Sequence, residues 1–309
     1  MPQLRTVRRA VGVWCTALVL LVSGCAANPA STPPEDDRPL VLTTFSVLAD
    51  LADTVGGGRV RVESITKVGA EIHGYEPTPS DLIRAQDADL ILDNGLGLER
   101  WFERFLQAVD APRVVLSDGV EPVDIRSGDY SGLPNPHAWM SPLAAQTYVD
   151  NIVAALSELE PAHAAEFEDN GQQLKKELDG LLAEFRTDIT ELEEGPEGAA
   201  LVTCEGAFSY LARDAGLEEA FIWPVNADSE GTPRQIRDVI DFVEEHRVPT
   251  VFCESTVSPS AQEQVALATG AELGGTLYVD SLSGPDGPVP TFLDLLRHDL
   301  ETITEGLAR

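Results

Sequence analysis

The stretch His73-Gly74-Tyr75-Glu76-Pro77-Thr78-Pro79-Ser80-Asp81 decides how the chain is read. Pro77 disfavours helix before it. Thr78 followed by Pro79, with Asp81 three residues beyond the threonine, spells a capped helix start. His73 therefore belongs to a loop between a strand ending near Thr66 and a helix opening at Thr78. In an α/β sheet that loop lies at the carboxyl edge of the strands, where ligands collect. An imidazole there is a candidate metal ligand.

Working outward, the pattern alternates strand and helix. Val41 to Phe45 reads as a strand, Val47 to Val55 as a helix and Val60 to Thr66 as a strand. Beyond the helix from Thr78 to Gln86, Asp89 to Leu92 is a short buried strand ended by Asn94-Gly95-Leu96-Gly97. That glycine pair is too sparse for a nucleotide-binding fingerprint and reads as a turn. A helix from Leu98 to Val109, a strand from Val114 to Leu116 and a loop rich in Gly and Pro from Ser127 to Pro136 complete a first lobe. Repeated βα units imply a mostly parallel sheet. The loop runs into Asn135-Pro136-His137-Ala138-Trp139-Met140-Ser141-Pro142, where Ser141 can cap a helix with Pro142 at its first position. His137 thus stands, like His73, just ahead of a helix.

Helical periodicity continues from Leu143 to Leu156 and from Ala164 to about Leu192. In the second helix Phe167, Leu174, Leu178, Leu181, Phe185, Ile189 and Leu192 form one apolar stripe. Its thirty or so residues span roughly 45 Å, longer than one lobe needs, and predict a rigid strut between two lobes. The second lobe repeats the first in outline, with strands at Ala199 to Thr203, Ala220 to Pro224, Thr250 to Phe252 and Gly275 to Val279. Helices are expected at Ala207 to Ala215, Thr232 to His246, Pro259 to Thr269 and Thr291 to Leu307. Glu205 lies just beyond the first of these strands and Asp280 follows the last, so both carboxylates belong at the strand-end edge. The expected organisation is a leader over 1–24, a tether over 25–38, an N-terminal lobe over 39–160, a linker helix over 161–195 and a C-terminal lobe over 196–309. His163, His246 and His298 fall on helices or their ends and read as surface residues.

With 309 residues and 43% hydrophobic content, the chain can build proper cores. Its formal charge of -31, from 21 Lys and Arg against 52 Asp and Glu, leaves no basic stripe to meet phosphates and argues against nucleic acid. Arg5, Arg8 and Arg9, then an apolar run from Ala10 to Val22, form an export leader. Leu21-Val22-Ser23-Gly24-Cys25 resembles the lipobox of bacterial lipoproteins, in which the cysteine is lipidated and becomes the first residue. The stretch from Ala26 to Asp37 is rich in Pro, Ala, Ser and acid and reads as a flexible tether. Cys204 and Cys253 remain, each after an apolar run that reads as a buried strand. In an oxidising setting a disulfide across neighbouring strand ends is preferred over two separate buried thiols, and no CxxC spacing favours a Cys metal pair.

The segments HGYEPTPSDL around His73, NPHAWMSP around His137, CEGAFSYLARDAGL around Glu205 and LYVDSLS around Asp280 resemble the four signature segments of a known family. It is the cluster A-I metal-binding lipoproteins of ABC transporters, which serve manganese, zinc and iron uptake. The resemblance runs from Cys25 to the terminal helix. It implies two (β/α)4-like lobes joined by one long helix, with the metal in the interlobe cleft. It also implies two ligands from each lobe, His73 and His137, then Glu205 and Asp280. Two imidazoles and two carboxylates make a mixed N/O site whose charge balances a divalent ion. Zinc binders of the family often carry His at the third position and a His-rich loop. Glu205 and the absence of that loop point to Mn(II) first, Zn(II) second and Fe(II) third. Asn135 and Ser141 stand where the family often has Asp. The resemblance to manganese-type members also has a Cys204–Cys253 bridge fixing the Glu205 loop. The implied protein is a monomeric, lipid-anchored extracytoplasmic receptor that hands its metal to an ABC permease, and not an enzyme. A metal-dependent hydrolase is the rival of another class, but no HExxH pairing supplies a general base. A purely adhesive lipoprotein is the third reading.

Overall fold

The computed structural model describes residues 36–106, 109–126, 128–193, 199–225 and 231–309. The leader, the lipobox cysteine Cys25 and nearly all of the tether lie outside these residues. The first half is built from β1 (Leu40–Thr43), α1 (Ser46–Gly56), β2 (Arg61–Ser64), α2 (Pro79–Gln86), β3 (Leu90–Asp93), α3 (Arg100–Leu106) and β4 (Arg113–Val115). Its four strands pair only in parallel, in the order β2-β1-β3-β4. Parallel pairing forces each connection across a face of the sheet, so the strands are covered on both sides. β1 shows this within four residues: Val41 enters the central core, whereas Leu40 and Leu42 point the other way, towards Ala85, Ile91 and Phe102.

Two helices follow, α4 (Pro142–Leu159) and α5 (Ala164–Glu193). α5 has 30 residues and packs on α1 and α4 from the first half and on α6 (Ser209–Ala215) and α9 (Phe292–Leu307) from the second. Phe167, Leu174, Leu178, Phe185 and Ile189 are buried along it as the periodicity predicts. The stripe also takes in Leu182, while Leu181 and Leu192 are only partly buried. α4 and α5 approach closely at Gly171, where an added Cβ would meet Val153 Cγ2 at 2.5 Å.

The second half comprises β5 (Ala200–Glu205), α6, β6 (Glu218–Trp223), α7 (Pro233–His246), β7 (Thr250–Glu254), α8 (Ser260–Thr269), β8 (Glu272–Leu277) and α9. β5 pairs in parallel with β6, and β7 with β8. β5 and β7 lie side by side, joined by the Cys204–Cys253 disulfide with a Cα–Cα separation of 4.9 Å. The architecture is thus two α/β lobes with parallel strands and one long helix serving both. Among the described residues no helix is long and apolar enough to cross a membrane.

One strand departs from its expected place. β8 begins at Glu272, not Gly275, and ends at Leu277. Gly274 and Gly275 are interior to it because no side chain fits: a Cβ would fall 2.5 Å from Phe252 at the first and 2.8 Å from Thr302 at the second. The two glycines are here the condition for close packing.

Candidate metal centre

His73 sits in the long β2–α2 connection, which has little regular backbone pairing and is held by side chains. Glu71 accepts the backbone N–H groups of His73 and Gly74 at 2.6 and 3.0 Å. Trp101 Nε1 donates to the Ile72 carbonyl at 2.9 Å. The helix beyond starts as the sequence predicts, with Thr78 and Asp81 forming a reciprocal capping box and Pro79 at the first position. His137 precedes a short 3-10 turn, Ala138–Met140, and then α4, which Ser141 caps by accepting from Leu143 and Ala144. Glu205 is the last residue of β5, one step earlier than a position beyond the strand. Asp280 lies three residues past β8.

The fold brings these four side chains together. His73 Nε2 is 3.0 Å from His137 Nε2, 3.2 Å from Glu205 Oε1 and 3.8 Å from Asp280 Oδ1. His137 Nε2 is 3.7 Å from the same Glu205 oxygen. One donor atom from each of the four lies within 4.8 Å of the others. His137, Glu205 and Asp280 have no exposed surface, and the His73 side chain is 4% exposed. A cavity of about 240 Å³, walled by Leu96, Leu98, Arg100 and Pro136, borders His73. A second cavity, about 410 Å³ between α6, β6 and α7, does not touch any of the four.

Electrostatics shows what the cluster requires. Burial alone would lower His73, but the charge and hydrogen bond of Glu205, with Asp280 and Glu71, raise it to about 9. Burial drives His137 the other way, to about 3, with the His73 charge adding to it. Asp280 is raised to about 7 by burial first and by the Glu205 charge second. Without another cation, a buried imidazolium and a protonated Asp280 neutralise the cluster. A divalent ion would replace both protons with one ion of the same total charge, which is the fit a metal needs. Asp280 Oδ1 has no hydrogen-bond donor among the described residues, while its Oδ2 accepts from Thr256 at 3.1 Å.

The surrounding contacts hold the donors in place. His137 donates its backbone N–H and its Nδ1–H to Asn135 Oδ1, at 3.0 and 2.9 Å, which leaves Nε2 as the lone-pair donor. Asn135 thus supports the ring although it is not an aspartate. Glu254 accepts the Glu205 backbone N–H through both oxygens, at 3.3 and 3.2 Å. Sequence reasoning passed over Glu254 and Thr256. For Glu254 a signal exists: β5 ends in Cys204-Glu205 and β7 in Cys253-Glu254. Thr256 carries none. Cys204, Cys253 and Glu254 also cluster, but the disulfide occupies both sulfurs. His163, His246 and His298 are partly buried: His246 stacks on Phe242, and His298 Nε2 lies 3.0 Å from the Thr276 carbonyl.

Comparison with known proteins agrees over almost the whole chain. Residues 41–306 match a family model described as zinc-uptake complex component A, periplasmic. An iron-binding protein, YfeA of Yersinia pestis, is 48% identical over 283 residues, covering 91% of this chain and 89% of its own. The manganese-binding lipoprotein MntA of Halalkalibacterium halodurans is 32% identical over 293 residues, covering 94% and 96%. Among solved structures, a Mn-bound periplasmic metal-binding protein from Candidatus Liberibacter asiaticus superposes with a TM-score of 0.81 at 38% identity, covering 87% of this chain and all of that one. The periplasmic zinc-binding protein TroA of Treponema pallidum gives 0.79 at 26%, covering 88% and 100%.

Proposed function

We propose, from the premise that the chain belongs to the ZnuA family of metal-binding ABC transporter solute-binding proteins, that it captures manganese outside the cytoplasmic membrane and delivers it to an ABC permease. Members of this family are transport components, and the chain is not an enzyme. In this reading His73, His137, Glu205 and Asp280 are the ligands, Cys25 carries the lipid anchor and the protein acts as a monomer. The observation that carries it is the convergence of two imidazole nitrogens and two carboxylates in an almost fully buried site. With the sulfurs of Cys204 and Cys253 tied in a disulfide and no thiolate among the four, the donor set is N and O alone. Carboxylates able to bind through two oxygens raise coordination towards six, which suits Mn(II) or Fe(II) better than tetrahedral Zn(II).

Fe(II) is the second reading, favoured by the iron-binding name of the 48% identical relative. Zn(II) is the third, because intrinsic affinity in an N/O site exceeds that for Mn(II). The test is metal content of the purified protein by mass spectrometry, then competition among Mn(II), Fe(II) and Zn(II) with thermal unfolding as readout. Ligand at about 100 times its Kd adds about 2.7 kcal/mol to stability. Tight, reversible stabilisation by Mn(II) supports the manganese reading. Stabilisation by Zn(II) or Fe(II) alone overturns it and leaves the receptor function intact.

A further inference from the structure

Asn135 is 2% exposed, and its side chain is used twice. Towards the first lobe its Oδ1 accepts both His137 donors. Since a backbone N–H can only donate, the atom facing it is the amide oxygen, and the proton shared with Nδ1 belongs to the ring. Towards the second lobe its Nδ2 donates to the Gly206 carbonyl at 2.6 Å and to Ser209 Oγ at 3.2 Å. Gly206 is the residue after Glu205. The Asn135 carbonyl in turn accepts the Tyr210 hydroxyl at 2.7 Å, from α6. Six residues on, Ser141 Oγ donates to Asp214 Oδ2 at 2.5 Å, again joining α4 to α6.

We propose that Asn135 is a positioning residue that sets the His137 ring and pins the end of β5 to it, so that one amide group couples ligands contributed by the two lobes. A planar carboxamide is what this location needs, because it offers an acceptor and a donor on one rigid group. A carboxylate would keep the acceptor but set oxygen against the Gly206 carbonyl oxygen. An alanine would remove both contacts and leave buried groups unpaired. Separation of the lobes at this point requires the Asn135 amide to release Gly206, so the contact governs how fast a bound ion leaves. The kinetic part of this inference rests on the metal-receptor reading, whereas the ring orientation does not.

The test uses the full-length chain with Asn135→Asp and Asn135→Ala. In metal-free protein with ¹⁵N-labelled histidine, NMR reads which ring nitrogen of His137 carries the proton. Release of Mn(II) into excess EDTA is followed by tryptophan fluorescence, since Trp139 lies 5.3 Å from the His137 ring. Wild-type protein is expected to carry the proton on Nδ1. Asn135→Asp is expected to keep that proton and release Mn(II) about tenfold faster, and Asn135→Ala to lose the preference and weaken binding by about 10–100-fold. A proton on Nε2 in the wild type, or wild-type release from Asn135→Asp, overturns the inference. If Asn135→Ala does not fold, the aspartate variant decides. If the wild type holds no Mn(II), the manganese reading fails, and the tautomer alone decides the role of Asn135.

Discussion

At the scale of single residues, two histidines 3.0 Å apart have opposite proton affinities. His73 faces Glu205, Asp280 and Glu71, whereas His137 is buried with its Nδ1–H already spent on Asn135. In the proposed site an incoming metal would displace a proton from His73 but find His137 ready. Removing a donor should cost more than removing a supporting contact. His73→Ala and Glu205→Ala are expected to lower metal affinity beyond the ~10–100-fold typical of outer contacts, checked by titration calorimetry. Glu254 tests the support beneath the site. Burial, and then the Glu205 charge, raise its carboxyl well above the ordinary range, which favours the neutral form while it accepts the Glu205 N–H. Glu254→Gln preserves shape and neutrality and is expected to leave stability nearly unchanged. Glu254→Ala strands a buried N–H and is expected to cost about 1–3 kcal/mol in urea unfolding.

At the scale of elements, α5 is the member that both halves share. Its apolar stripe was legible because helical periodicity is a local property that any core would have to satisfy. Phe185 lies in that stripe, 2% exposed, and Phe185→Ala is expected to destabilise the chain by about 3–5 kcal/mol. The metal affinity of the folded variant should change little, because none of the four candidate donors lies on α5; calorimetry on the folded fraction checks this. β8 was the least legible element. Its glycines carry no hydrophobic signal, and their reasons are the ring of Phe252, on a strand more than twenty residues away, and the side chain of Thr302 in α9. The capped start of α2 was fully legible, since Thr78, Pro79 and Asp81 settle it among themselves.

At the scale of the whole molecule, buried acids and His73 give the metal-free protein an unusual pH dependence. Glu99 and Glu219 are each raised by burial to about 7, Glu99 further by the Asp93 charge. A carboxyl whose folded value is raised binds more protons folded than unfolded, so stability falls as pH rises from about 4.5 to 7. His73, raised to about 9, contributes stability that is complete below 6.5 and lost as pH climbs through 9. His137, lowered to about 3, acts oppositely: its contribution is present above 6.5 and lost as pH falls towards 3. Between pH 6.5 and 9 only the destabilising trend with rising pH remains. The melting temperature of metal-free protein in EDTA is expected to fall across that window. Metal should reverse the trend, because it takes over the charge that the His73 proton balanced. Scanning calorimetry with and without Mn(II) measures both arms.

The sequence by itself determined what neighbours along the chain decide. The alternation of βα units, the caps of α2 and α4, the length of α5 and the four segments bearing His73, His137, Glu205 and Asp280 all follow from residues a few positions apart. Only the tertiary structure decided how those segments meet. Candidate donors separated by as many as 207 positions in sequence come within 4.8 Å because the loops and strand ends of both halves meet at one place. The protons on the imidazoles, the raised carboxyl of Glu254 and the double use of Asn135 depend on burial and on partners brought in by the fold. Charge in a buried site is a property of the assembled surroundings, and no single stretch of chain contains them.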